Sequence, residues 1–123
     1  MNDSILTTIA TMLLGSFDPT TYKATDAFFT DLVIGINTAL SIMTQMGVGA
    51  DEGFKITGTN ETWEDFIGSS RVDIEMVKSY VYLKTKLMFD PPQNSFLVDS
   101  IKNLCNELEF RINVQVDTES SDS

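Results

Sequence analysis

Apolar positions recur at three- and four-residue intervals through four stretches of the chain, the signature of helices with one buried face. The first stretch holds Ile5, Ile9, Met12 and Leu13. Asp3 or Ser4 can cap it, and Gly15 follows its end at Leu14. A loop from Ser16 to Thr25, broken by Asp18-Pro19, leads to a second, longer helix. Thr25 or Asp26 caps it, and it ends before Gly47. Its Phe29, Leu32, Val33, Ile36, Ala39, Leu40 and Met43 fall within about half the circumference at about 100° per residue. Gly35 interrupts this helix. A mid-helix glycine costs about 1 kcal/mol against alanine, which predicts a close neighbouring backbone.

A third helix is predicted from about Val72 to Phe89, with a broad apolar face of Val72, Met76, Val77, Tyr80, Val81, Leu83, Leu87 and Met88. Asp90-Pro91-Pro92 stops it, because proline drives the preceding residue out of the α region. The fourth helix starts near Ser95 and continues to about Val114, with a narrow stripe of Leu97, Val98, Ile101, Leu104, Cys105, Leu108 and Ile112.

Between the second and third helices the pattern breaks. Gly47, Gly49, Gly53, Gly58 and Gly68 punctuate residues 47 to 70. Phe54-Lys55-Ile56-Thr57 alternates and can form one short strand, and Thr62 can cap a single helical turn through Phe66. Five acids (Asp51, Glu52, Glu61, Glu64 and Asp65) against Lys55 give this excursion a local charge of −4. The expected fold is mainly α: a small four-helix bundle with a Gly-rich acidic loop between its second and third helices. Residues 1–116 form the helical domain. Residues 117–123 read as an acidic, Ser-rich tail, flexible unless a partner holds it.

Composition narrows the chemistry. The 123 residues suit one domain, and 42% apolar content suffices for a packed core. A net charge of −10 argues against a free-standing duplex-DNA binder, which needs a cationic face. With no histidine, His-based triads, general bases and His metal sites are removed together. The single cysteine, Cys105, excludes an intramolecular disulfide and any Cys cluster, and its place in the apolar stripe makes it a small buried hydrophobe. No phosphate-binding loop occurs. Glu61 and Glu64 are spaced three apart, as in all-helical magnesium-dependent nucleotide hydrolases, but no second carboxylate helix faces them. No segment approaches the ~20 apolar residues of a membrane span, and the start lacks a positive n-region. A soluble chain in a reducing compartment, away from membranes, is the expectation.

The informative surplus is apolar. Tyr82 and Phe89 lie opposite the stripe of the third helix, and Phe96, Phe110 and Val114 lie behind that of the fourth. One stripe per helix is enough for a bundle, so these five point to contacts with a partner. Trp63 and Phe66, in the acidic excursion, can anchor a partner or the bundle itself. Lys84 falls inside an apolar face and must snorkel or meet an acid.

The residues, taken in order, carry a resemblance. Ile36-Asn37-Thr38-Ala39-Leu40, Gln45-Met46-Gly47-Val48-Gly49 and Trp63-Glu64-Asp65-Phe66 precede Val77-Lys78-Ser79-Tyr80-Val81-Tyr82-Leu83-Lys84 and Leu87-Met88-Phe89-Asp90-Pro91-Pro92. Asn106-Glu107-Leu108-Glu109-Phe110-Arg111-Ile112-Asn113-Val114 closes the series. The chain from Ser4 to about Val116 resembles the head–tail connector (head-completion adaptor) family of siphovirus-like tailed bacteriophages.

That resemblance implies a structural virion protein of the neck, assembled in the host cytoplasm, with no enzymatic activity and no cofactor. It implies a ring, typically dodecameric, that sits under the portal, extends the channel for double-stranded DNA without reading its sequence, and receives a stopper or tail-completion protein. The portal contact would fall to Arg111, Val114, Gln115 and Val116. Neighbouring subunits would meet through Tyr82, Phe89, Phe96 and Phe110, since a ring needs two unlike lateral faces. The excursion, with Asp51, Glu52, Glu61, Trp63 and Phe66, would face the lumen or the next ring, where negative charge lets DNA slide. The competing reading is a small acidic phage-encoded inhibitor of a host factor, motivated by the −10 charge. Its acids, however, are scattered over loops and several helices.

Overall fold

The computed structural model describes residues 4–18, 20, 23, 26–49 and 53–121, with backbone alone for 119–121. Among the described residues five α-helices follow one another: α1 (Ile5–Leu14), α2 (Ala27–Gln45), α3 (Trp63–Ile67), α4 (Ile74–Phe89) and α5 (Ser95–Ser121). Local chemistry sets their ends. Ser4 caps α1 by accepting from the Thr7 amide at 3.2 Å, and left-handed Gly15 closes it. Asp26 and Asp73 accept from Phe28 and Glu75, each at 2.9 Å, to start α2 and α4. Asn94 accepts from Phe96 at 2.8 Å to start α5. Thr62 and Asp65 form a reciprocal capping box around α3.

α4 is the hub. It packs against α1, α2 and α5, and α1 also touches α2. The core is built from Ile5, Leu6 and Ile9 of α1, Leu32, Ile36, Leu40 and Met43 of α2, Val77, Tyr80 and Val81 of α4, and Cys105 and Ile112 of α5. The mainly α bundle predicted from periodicity is the observed architecture. α2 is long and apolar enough, by length and composition, to cross a membrane, which departs from the expectation that no segment is. Leu32, Gly35, Ile36, Ala39, Leu40 and Met43 are nevertheless buried, so the inner face of this helix serves packing.

Where α2 crosses α4, Gly35 meets a side chain and not the backbone that its position suggests: an added Cβ would lie 3.4 Å from Thr85 Cγ2. Thr85 is fully buried and its hydroxyl has no hydrogen-bond partner among the described residues.

The excursion between α2 and α3 contains no strand among its described residues. The Asn37 side chain takes both main-chain groups of Ile56, accepting from its amide at 2.7 Å and donating to its carbonyl at 2.9 Å. Phe54–Thr57 is thus tied to a helix and not to a second strand. Further on, the Ile5 amide donates to the Glu61 carbonyl at 3.0 Å, and the Trp63 indole donates to Thr8 Oγ1 at 3.0 Å. Gly49, at φ 79°, passes so close to Phe66 that a Cβ would lie 2.5 Å from its carbonyl oxygen. The described residues of this loop-like segment are thus tied to α1, α2 and α3.

α5 runs past Val114 to Ser121, beyond the end expected from its apolar stripe. Nothing in residues 95–121 stops it: glycine and proline are absent from that span. Residues 117–121 of the acidic segment continue this helix, and residues 122 and 123 lie outside the described residues.

Replacing Asn37 with alanine leaves the Ile56 amide and carbonyl unpaired beside a buried side chain. It should destabilise the protein by about 2–4 kcal/mol in urea unfolding. Thr85→Val removes an unpartnered buried hydroxyl at nearly constant shape, and should leave stability unchanged or raise it by up to about 1 kcal/mol. A loss there as large as that of Asn37→Ala would contradict the packing described.

Candidate docking surface

α5 has one flank against the bundle and the rest open. Its 27 residues extend about 40 Å. Cys105 and Ile112 are buried, and Ile101, Leu108 and Val116 are half-buried against the core. The sequence stripe also assigned Leu97 and Leu104 to the inside, but they are 50% and 48% exposed. They join Phe96 (73% exposed), Phe110 (69%) and Val114 (48%). At about 100° per residue, these five side chains occupy one sector of about 140°. The sector is a second apolar stripe beside the first. Residue spacing carries the signal for it: Phe96 and Phe110 are 14 apart and Leu97 and Leu104 are seven apart, whole numbers of heptads.

Towards its C-terminal half the stripe borders a groove of about 490 Å³ lined by Asp73, Met76, Phe110, Arg111, Val114 and Gln115. Of the four residues that the resemblance assigns to the portal, Arg111 and Val114 are exposed here. Arg111 is paired with Glu107 at 2.7 Å on the same helix. The other two are engaged within the subunit. Gln115 Oε1 accepts from the Asp73 amide at 2.8 Å, and Val116 lies where a Cβ on Gly47 would come within 2.9 Å of its Cγ1.

The residues assigned to subunit contacts also divide. Phe96 and Phe110 are open. Phe89 is half-buried, its ring edge-on to Phe28 at 5.0 Å, and Phe28 meets Phe29 at 5.1 Å. Tyr82 is likewise half-buried against the core. Both therefore pack within the subunit, Phe89 against Phe28 at the start of α2.

Of the residues assigned to the lumen, Trp63 and Phe66 belong to the core and do not face outward. Aromatic side chains in a short capped helix fill the space between α1 and the excursion. Asp51 and Glu52 lie outside the described residues. Glu61 is half-buried and turned back on its own loop, accepting from the Thr57 hydroxyl at 2.8 Å and the Gly58 amide at 3.4 Å. Burial alone would raise its pKa, but hydrogen bonds from the Thr57 hydroxyl and nearby amides outweigh that, so the carboxyl sits below its ordinary 4.5.

On the opposite side of α5, Lys84, Leu87 and Met88 of α4 and Lys102, Cys105 and Asn106 of α5 line a second groove of about 380 Å³. Burial pushes the Cys105 thiol up, with nearby Lys84 opposing the shift and Glu109 adding to it. Tyr80 is pushed up too, by burial and by the hydrogen bond it donates to Glu109 at 2.8 Å. Neither group is primed as a nucleophile. No group of three or more Cys, Asp or Glu side chains among the described residues is placed to hold a metal ion. The geometry offers surfaces for contact.

Comparison with protein families finds a match over residues 5–119 to the family described as phage connector protein. Comparison with curated proteins finds no match, and comparison with solved structures finds none.

Because the Glu61 pKa is lowered on folding, its stabilisation is present above about pH 4.5 and is lost as pH falls through the folded value. Glu61→Gln should cost up to about 1 kcal/mol at pH 7, as expected of a partly solvent-screened carboxylate. The gap from wild type should close in urea titrations below pH 4.5. A gap that is constant from pH 7 to pH 3 would show that the charge is not what matters.

Proposed function

The chain belongs to the phage connector protein family, and on that premise we propose that it is the subunit of a ring docked beneath the portal, one that prolongs the DNA channel and seats a stopper or tail-completion protein. Members of this family are structural components of the virion at the head–tail junction, in contact with other head and tail proteins.

The observation that carries the finer reading is the second apolar stripe of α5. Phe96, Leu97, Leu104, Phe110 and Val114 stand open on a subunit whose core is already complete. Exposed phenylalanines at this level, on one line, mark a surface that an assembly covers. In the proposed arrangement Phe96 and Phe110 meet the neighbouring subunit, and Arg111 and Val114, at the far end of the same helix, meet the portal. A closed ring is built from one face meeting an unlike face, and the two flanks of α5 differ in this way. The acid-rich excursion lines the lumen or faces the next ring. In the lumen, the exposed Glu64 and Asp65 repel the phosphate backbone and allow DNA to pass without sequence-specific binding.

The test is to mix the purified chain with the portal ring of the same phage and image the product by electron microscopy. A collar of density beneath the portal is expected. A chain that stays monomeric and adds no density overturns the reading and favours the acidic inhibitor. Replacing Phe96 and Phe110 by serine should change unfolding free energy by no more than about 0.5 kcal/mol each, since both side chains are open. The same pair should weaken collar formation at least tenfold, about 1.4 kcal/mol. An unaltered collar would remove the stripe from the interface.

A further inference from the structure

Where α2 crosses α4, Asp31, Ile34, Gly35, Thr38, Met88 and Phe89 line a groove of about 300 Å³. A cavity of about 150 Å³ already admits a benzene ring. The lining suits one: the Met88 thioether and the half-buried Phe89 ring both favour an aromatic neighbour. Ile34 and Met88 are exposed. Thr38 donates its hydroxyl to the Ile34 carbonyl at 2.9 Å, so Asp31 is the polar group left at the rim. Its carboxylate has no ion-pair partner among the described residues.

The chain carries a matching ridge on α5. Two phenylalanines are exposed among the described residues, Phe96 and Phe110, and their levels differ. α5 runs antiparallel to α4, with Gln115 at Asp73 and Glu109 at Tyr80. Carried onward, that register sets Met88 opposite Ile101, between Leu97 and Leu104. Phe96, Leu97 and Leu104 therefore straddle the level of the groove, and Phe110 lies about 13 Å further along the helix. Charge agrees with this choice. Aspartates cap α2 and α4, whereas neutral Asn94 caps α5, whose first turn holds no acid. No acid of that turn offsets the positive end of the α5 macrodipole. That end follows directly on the end of α4, where Phe28 of α2 meets Phe89, so it shares the Asp31 end of the bundle. One copy cannot close the contact, because Phe96 stands open on a helix whose other flank is held by α4.

We propose that the N-terminal half of the α5 stripe in one copy of the chain, led by Phe96, seats in the Asp31–Ile34–Met88 groove of the next copy. Phe96 enters against Met88 and Phe89, and the start of the incoming α5 approaches Asp31. α2 and α5 both pack on α4 with little contact between them, so groove and ridge lie on two unlike faces. With the far end of α5 at the portal, α5 runs along the ring axis, and copies related by rotation meet at matching levels. The inference rests on the ring reading above and supplies the face that receives the stripe.

Cross-linking with a short bismaleimide tests it, on the free full-length chain and on the chain mixed with the portal ring. Ser100 lies within the sector of the stripe, and Ile34 lines the groove. The Ile34→Cys, Ser100→Cys variant should give a ladder of dimers, trimers and higher species, with helicity unchanged by circular dichroism. Each single variant should give no ladder, and neither should wild type, whose one thiol is buried. Thr118 lies on the same line of α5 as Ser100, about five turns or 27 Å away. Ile34→Cys with Thr118→Cys should therefore link at least tenfold less. Dimers from Ser100→Cys alone would show α5 facing α5 and overturn the proposal. Equal linking at residue 118, or no ladder with Ser100→Cys, would overturn it too. Imaging of the collar separates the two readings. A collar without a ladder removes the groove contact and leaves the connector role standing. A ladder without a collar does the reverse, and the absence of both overturns both.

Discussion

Everything in this subunit depends on how α4 is enclosed. It is packed by α1, by α2 and by α5, and its buried Val77, Tyr80 and Val81 are shared among them. The α4–α5 connection through Asp90-Pro91-Pro92 is short, so α5 lies back along the hub and meets it with one stripe. α5 is the outermost layer, and among the described residues it is covered along one stripe and open elsewhere. Its length makes this consequential: the helix outruns the bundle it leans on.

Helical periodicity and capping chemistry made most of the fold legible. Ser4, Asp26 and Thr62 cap as their positions suggest, and Gly15 closes α1; α4 instead begins at Ile74 behind an Asp73 cap that the apolar pattern, running from Val72, does not mark. The excursion was harder to read, because its order comes from contacts distant in sequence. Asn37 reaching Ile56 and Trp63 reaching Thr8 leave no periodic trace. Trp63 and Phe66 illustrate the same point: an aromatic pair in an acidic loop is compatible with a partner or with the core, and only the packing decides for the core.

The candidate surface was half legible. Phe96, Phe110 and Val114 are as open as a second apolar line on a helix suggests. Leu97 and Leu104 were assigned to the inner stripe because a helix wheel has no knowledge of where the neighbouring helix stops. Phe89 went the other way, since Phe17, Phe28 and Phe29 gather around the end of α4 through a connection whose sequence shows no pattern. Gln115 and Val116 are also turned inward, by partners at Asp73 and Gly47 that lie far away in sequence.

The order of the elements has a consequence for biosynthesis. A chain emerges from the ribosome N-terminus first, and α1, α2 and the hub α4 precede α5. The interior can therefore be largely assembled before the helix with the exposed phenylalanines is finished. The apolar stripe emerges after α1, α2 and α4, on a subunit already folded enough to offer it to a neighbour, and nascent chains on one messenger have little time to cling to each other through it.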